Sequence, residues 1–474
     1  MKFIPQSQSS ALTGAALVLA ITASVFAQEK PYTQPGLAQP PAPPAAPKPP
    51  ASTPAASAEA AAKPGGLEAF LNGKLPDAIA KGKFSVNARL RYEFVDQDGV
   101  AAITEPSHAP TVRTRFGFTT APVYGFQGMI EGENVTVIGP EDNFNAAGSN
   151  GVGYKPIVAD PPTTELNQAW LNYNYTNLFS AKIGRQRIVL DNHRFVGDVG
   201  WRQNMQTYDA VSAELKPVQD FKLFYSHLWE VHRIFGDVSG LPAANTDFSS
   251  SSHLVNASYS GWKFGQVTGY AYLLDLENAA GAANSSATYG GFFAGNAPVT
   301  EKLSLGYRAE FAWQTDYAAS PQGYEAEYYS FEVGANLKPF AFGAGYEVLG
   351  TDSNSNGAGS VGFRTLLATL HAFNGWADVF LNTPSKGLRD LYGFAQVTLP
   401  AQIPLRFVYH KFDADSGGAD YGQEFDVIAS KKFGKHWTAL VKYSFYEGQD
   451  AAPPALAVPG VDVHKFWAQV EFNY

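Results

Sequence analysis

Between Ile183 and Asn204 the sequence reads IGRQRIVLDNHRFVGDVGWRQN, which sets Arg185, Arg187, Arg194 and Arg202 beside Asp191 and Asp198. A guanidinium stays charged at any physiological pH and offers a planar fork of N–H donors, suited to two-point binding of a carboxylate or phosphate. Three roles fit such a cluster: a solvated loop whose Arg–Asp pairs only rigidify it, an anion-binding surface, or the lining of a pore. The elements that carry the stretch decide among them.

Other chemistry-bearing patterns are sparse. Gly357 to Gly362 matches GxGxxG, but no apolar strand leads into it and no helix follows, so it reads as loop. Asp352, Asn354 and Asn356 resemble the start of a calcium loop, a weak candidate because the twelfth position is Phe363 instead of Glu. The nine His show no metal spacing, and no Ser/His/Asp set stands out. There is no cysteine, which excludes disulfides, thiol catalysis and a lipid-modified N-terminal Cys. No cofactor is implied, no basic patch supports nucleic-acid binding, and the expectation is a protein that is not an enzyme.

The chain opens with Lys2, an apolar run from Ala11 to Phe26 and a Val-Phe-Ala ending at Ala27, the pattern of a secretory leader over residues 1–27. That run is short of the roughly 20 apolar residues of a spanning helix, and no later segment offers one. Residues 28–82 form a lead-in dominated by Pro and Ala between 31 and 64. Such a composition favours extended polyproline II at about 3.1 Å per residue, a periplasmic tether reaching at most roughly 100 Å. A cell-wall or other periplasmic partner for it is possible on composition alone, as is a plain spacer.

From Lys83 to Tyr474 the sequence alternates with period two. Phe84, Val86, Ala88, Leu90, Tyr92 and Phe94 share one face, while Ser85, Asn87, Arg89, Arg91 and Glu93 share the other. The same pattern recurs over Leu303–Trp313, Tyr329–Leu337 and Trp437–Phe445. These lengths match tilted membrane-spanning strands of about 9–11 residues, and the apolar faces begin and end in aromatics as interfacial girdles do. Connections alternate short and long. Short ones fall at Thr120–Gly125, Thr176–Ser180, Lys216–Asp220, Ser260–Trp262, Asn296–Glu301, Lys338–Pro339, Pro400–Pro404 and Phe433–His436. Long ones begin at Asp96, Ile138, Asp191, His232, Leu276, Asp316, Thr351, Asp413 and Gly448. Eight turns and nine loops give eighteen strands: an all-β, antiparallel transmembrane β-barrel in a Gram-negative outer membrane. The apolar segment Phe363–Leu381 would make an odd nineteen. It is expected inside one long extracellular excursion, folded into the mouth or lumen; the alternative is an extra hairpin and twenty strands. The last strand ends on Phe472 and Tyr474, which suits recognition by the barrel assembly machinery, with outer-membrane lipid and lipopolysaccharide surrounding the wall.

Parity then points the polar face at the lumen, with Arg89, Arg91, Arg113 and Arg115 from the first two strands and Glu131 and Glu133 from the third. Rings of Arg against acids are how pores select charged solutes, and they are common in general porins too. Lys182–Val189 becomes the fifth strand and Asp191–Gln206 the third extracellular loop. Arg185 and Arg187 share a face with Ile183 and Val189, so a bulge is expected there to bring both guanidiniums inward. Gly197, Gly200 and Trp201 suit a compact loop that folds in and sets a constriction. The chain's net charge is −9, and that of the part from Lys83 on is near −11, so any anion path is local.

The sequence resembles the alginate-export outer-membrane proteins in Arg89–Glu93, Arg113–Arg115, Thr164–Ala169, Ile183–Asn204 with Thr207–Asp209, Leu370–Asp378 and Gly387–Tyr392. The resemblance covers most of Phe84–Tyr474. It implies an eighteen-stranded barrel with an Arg-lined conduit passing an anionic polysaccharide outward, in which Arg89, Arg91, Arg113, Arg115, Arg185, Arg187, Arg194 and Arg202 contact the polymer. A channel for an anionic polysaccharide or a small anionic or sugar solute is therefore expected. The alternative is a structural protein linking cell wall to a barrel plugged by Phe363–Leu381.

Overall fold

The computed structural model describes residues 73–352, 360–454, 456 and 458–474. The expected leader, the Pro/Ala-rich segment, and Asn354 and Asn356 lie outside the described residues. A short helix, α1 (Leu75–Ala80), leads into the barrel, and the Ala121 N–H of the first turn donates to its Ala78 carbonyl at 2.9 Å.

The strands are β1 (Lys83–Gln97), β2 (Ser107–Thr119), β3 (Phe126–Val137), β4 (Thr163–Tyr175), β5 (Phe179–Gln186), β6 (Thr207–Leu215), β7 (Phe221–His232), β8 (Phe248–Trp262), β9 (Gly265–Leu274), β10 (Ser286–Pro298), β11 (Leu303–Asp316), β12 (Glu325–Leu337), β13 (Phe340–Leu349), β14 (Leu388–Leu399), β15 (Ile403–Asp413), β16 (Asp420–Phe433), β17 (Trp437–Gly448) and β18 (Val463–Asn473). Each pairs antiparallel with its chain neighbour, and β18 returns to β1 from Asn87↔Asn473 to Gln97↔Val463. Closure leaves no row of unpaired backbone groups, which hydrocarbon would not tolerate.

Side-chain parity decides which face is which. Along β1, Arg89, Arg91 and Glu93 are buried, whereas Leu90 between them is 46% exposed. Phe116, Ile130, Phe331 and Phe407 are likewise exposed on the outer face. So wide an apolar belt would aggregate in water; around a closed barrel it is the lipid-facing surface. Tyr124, Phe126, Tyr175, Trp262, Phe264 and Trp437 are exposed at or beside the short turns, an aromatic girdle at that interface.

The barrel has eighteen strands, not twenty. Between β13 and β14 runs the seventh long loop, residues 350–387 (L7), whose regular structure among the described residues is a two-residue ladder of Thr351–Asp352 with Val361–Gly362 and a single turn at Leu370–Ala372. Phe363, Leu367, Trp376, Val379 and Phe380 in it are all buried. A segment that buries apolar side chains without period two has no polar face to give a lumen, so it packs inside the barrel. Its partner is the third long loop, residues 187–206 (L3): Val196 bridges Leu367, and the Gly197 N–H donates to the Leu367 carbonyl at 2.8 Å.

Candidate functional site in the lumen

L3 crosses the lumen and seats its backbone on the arginines of β1 and β2. Arg89 Nη1 donates to the carbonyls of Gly200, Trp201 and Arg202 at 3.1, 3.1 and 3.2 Å, and its Nε to Glu471 Oε2 of β18 at 3.0 Å. Arg113 and Arg115 both reach the Gln203 carbonyl, at 3.4 and 3.3 Å. Arg113 also pairs with Glu471 at 3.3 Å, and Arg115 with Glu133. Arg91 forks onto Gln469 Oε1 at 3.0 and 2.7 Å and lies 4.3 Å from the centre of the Trp201 ring. Carbonyls that a loop leaves unsatisfied would be costly when buried, and the guanidinium donors supply their partners.

The arginines of L3 reach other walls. Arg202 Nη1 donates to Glu93 of β1 at 3.1 and 3.3 Å, its Nη2 donates to Asp378 of L7 at 2.8 Å, and it lies 3.7 Å from Asp160 of the second long loop. Arg194 makes a two-point contact with Glu347 of β13 at 2.8 and 3.0 Å and donates to Asn374 Oδ1 at 3.0 Å. Asp191 accepts from Asn256 of β8 at 2.7 Å, and burial raises its carboxyl above the usual carboxylate range. Arg187 pairs with Asp198 and keeps half its side chain, 51%, in solvent, the largest exposure among the eight arginines.

Arg185 differs from expectation. It does not turn inward: it keeps the outward parity of Ile183 and clamps Asp209 of β6 at 3.0 and 3.3 Å, with the Leu166 carbonyl at 3.0 Å. β5 ends at Gln186, and the register shifts fall in its neighbours, between Glu131 and Gly132 on the β3–β4 pair and between Asp209 and Ala210 on the β6–β7 pair. The first of these brings Asn167 and Gln168 of β4 both onto Glu131 Oε1, at 2.7 and 3.0 Å. An acid of matching parity on β6 gives Arg185 its partner at the rim, so nothing draws it into the lumen. Asp352, the described member of the weak calcium candidate, accepts from the Glu325 N–H at 3.1 Å, and no metal-holding cluster occurs among the described residues.

L7 contributes a centre that spacing did not reveal. His371 is buried, its Nδ1 2.6 Å from Asp378 Oδ1 and its Nε2 2.6 Å from Lys442 Nζ of β17. Its ring stacks on Trp201 at 4.5 Å and 6°, and Trp467 meets it edge-on. Burial, with Lys442 and Arg202 nearby, holds the imidazole well below its ordinary pKa, hence neutral, donating from Nδ1 and accepting at Nε2. Burial alone would push the Asp378 carboxyl up; His371, Lys465 at 2.8 Å and Arg202 outweigh it and hold the group well below the usual range. Glu424 of β16 fastens the next turn by accepting from the Trp376 and Ala377 N–H groups. A Cβ on Gly375 would fall 2.3 Å from Glu424 Oε2, and the φ of +83° there suits glycine alone. The arrangement is an ionic frame that clamps two loops together.

Sequence comparison agrees with the architecture. The Alginate export family model matches residues 83–452. The chain belongs to the Alginate export family. No curated protein matches its sequence. Among solved structures, OccAB2 of Acinetobacter baumannii aligns with TM-score 0.63 and 12% identity, covering 84% of this chain and 99% of that one. OccK9 (OpdG) of Pseudomonas aeruginosa aligns at 0.62 and 12%, over 84% and 100%. OpdK of the same organism, solved with vanillate, aligns at 0.61 and 10%, over 83% and 99%. At these identities the likeness is one of fold. Family and fold together make this Alginate export protein a transport channel of the Gram-negative outer membrane, and not an enzyme.

Proposed function

We propose that this barrel conducts an anionic sugar polymer, or a small anionic or sugar solute, past the L3 frame along an arginine-bearing wall. The observation that carries the reading is Arg187: at the root of L3, where the seven other arginines read from the sequence are held by carbonyls, amides and acids, its side chain stays 51% exposed beside Asp198. The adjoining wall, with Gln168 and Asn172 of β4, offers amide groups suited to hydroxyls. The family's name and the carboxylate present with OpdK point the same way, toward carboxylate-bearing solutes.

The interlock of L3 with L7 favours a second reading, a barrel closed by its own loops that serves as a structural link. Planar-bilayer recordings across a KCl gradient separate the two. A steady current whose reversal potential shifts toward the anion value, reduced by an added oligouronate, supports the conduit. Absence of current at every voltage refutes it and supports the closed barrel.

A further inference from the structure

The β4–β5 wall carries an arrangement that neither the loop frame nor the strand fold requires. Trp170 of β4 and Lys182 of β5 share the lumenal parity, since their neighbours Leu171 and Ile183 are 49% and 51% exposed on the lipid face. Lys182 Nζ lies 4.5 Å from the centre of the Trp170 ring and forms no ion pair with a described residue. The buried indole N–H of Trp170 has no hydrogen-bond partner among the described residues. In register, Trp170 faces Gly184, whose φ is +115° and where a Cβ would fall 2.3 Å from the Ala169 carbonyl oxygen and 3.1 Å from Trp170 Cα. The position beside the indole therefore stays bare. Asn172 and Gln168 flank Trp170 on the same strand face, each about 7 Å along the wall, and Gln168 Oε1 accepts from the Arg187 N–H at 3.4 Å.

We propose that Trp170 and Lys182 form a stacking station for an acidic sugar, the indole face taking the ring and the ammonium its carboxylate. The station rests on the reading of the lumen as a sugar-anion path and names where on that path selection occurs. An indole offers a broad flat surface for the C–H face of a pyranose, with a polar edge. The hold of Lys182 on the ring is a weak cation–π contact, and a carboxylate replaces it with a charge-assisted hydrogen bond that frees the ring face. Asn172 and Gln168 present amides to the hydroxyls on either side, and Arg187 stands next along the wall toward the extracellular mouth.

The test is calorimetric titration of the refolded full-length barrel with trigalacturonate and with maltotriose, a neutral sugar of the same length. The wild type binds trigalacturonate more tightly. Lys182→Gln weakens trigalacturonate about tenfold and leaves maltotriose unchanged, as expected for one charge-assisted contact. Trp170→Ala weakens both sugars, and Trp170→Phe, which keeps a flat ring and controls for folding, restores part of the loss. Equal affinities in wild type, Lys182→Gln and Trp170→Ala, or no binding of trigalacturonate by the wild type, overturn the station. Currents recorded on the same preparations keep the two readings apart. An anion-selective current with unaltered sugar binding in the variants rejects only the station, whereas variant-sensitive binding in a barrel that passes no current supports the station and rejects the conduit.

Discussion

Replacing Arg202 by Ala tests whether ion pairs hold L3 in the lumen. Its guanidinium serves Glu93, Asp160 and Asp378, which are 0%, 1% and 7% exposed. After the substitution Asp378 keeps Lys465 at 2.8 Å, and Asp160 keeps the Gln203 N–H at 2.8 Å and Arg91 at 3.7 Å. Glu93 keeps no hydrogen bond to a described residue and is left as a buried charge. Removing one partner of such a pair costs about 3–5 kcal/mol, most of it the penalty on the stranded acid. The strand ladder is untouched, so the cost falls on L3 docking. At about 1.4 kcal/mol per decade, the population with L3 detached rises by roughly two to three and a half powers of ten. Hydrogen exchange at the Gly197, Gln203 and Gln206 amides, whose bonds to Leu367, Asp160 and Asp198 are each 2.8 Å long, reads this directly. Those amides should exchange faster by that factor, β1 and β2 amides should not, and the single-channel current should rise. Glu93→Ala added to Arg202→Ala should recover part of the protection, because no charge is then stranded. Wild-type exchange in L3 with an unaltered current would refute the idea that these pairs seat the loop.

Two further outcomes follow from the same geometry. Arg187→Gln should lower anion preference in a KCl gradient, whereas Arg185→Gln, removed from the lumen by its outward pairing with Asp209, should leave the reversal potential unchanged; a reversed order would show that the pairings with Asp198 and Asp209 misplace both. L7 docking should weaken with acid. The docked pKa of His371 lies below its free value of about 6.5, so the undocked loop binds more protons and stability is lost as pH falls below about 6.5, by up to about 1.4 kcal/mol per pH unit. The depressed Asp378 carboxyl works the same way but only from about pH 3.9 downward, which leaves the window from 6.5 to 5 to His371. Exchange at the Ala372 and Ala377 amides between pH 7.5 and 5, corrected for intrinsic rates, measures the slope. His371→Asn should flatten it, and a flat wild-type profile would be inconsistent with a neutral buried imidazole.

Local periodicity carried the architecture because a strand's two faces meet two solvents. Leu90 against Arg89 and Arg91 is readable from spacing alone, whereas keeping Phe363–Leu381 out of the wall rested on the even strand count and left twenty strands as the alternative. The partners of the arginines were not readable. Glu93, Glu347 and Asp378 lie 109, 153 and 176 residues from the guanidiniums they bind, and only closure of the sheet and inward folding of L3 and L7 bring them together. Arg185 shows the converse error: breaking the alternation suggested a turn inward, but an acid at matching parity on β6 made the outward position stable. His371 lay in the segment that supported the family resemblance, yet its role depends on Lys442 from a strand 71 residues away.

The placement of these pairs argues for where a solute passes. On the side of β14 to β18 the lumen is filled by Trp201, Trp376, Phe394, Val408, Leu440 and Trp467, all buried, with the Lys442 amine enclosed among the three indoles. Against β1 and β2, Arg89, Arg113 and Arg115 hold the carbonyls of L3 and pair with Glu471 and Glu133, while Arg91 lies on Gln469 beside Asp160. Their guanidiniums are therefore engaged in holding L3 and are not offered to a passing solute. On the β4–β5 wall the balance differs: Lys182 has no acid among the described residues and Arg187 remains half hydrated. Selectivity for anions should then survive neutralising Arg89 or Arg113, provided L3 stays docked, and should fall when Lys182 and Arg187 are replaced together.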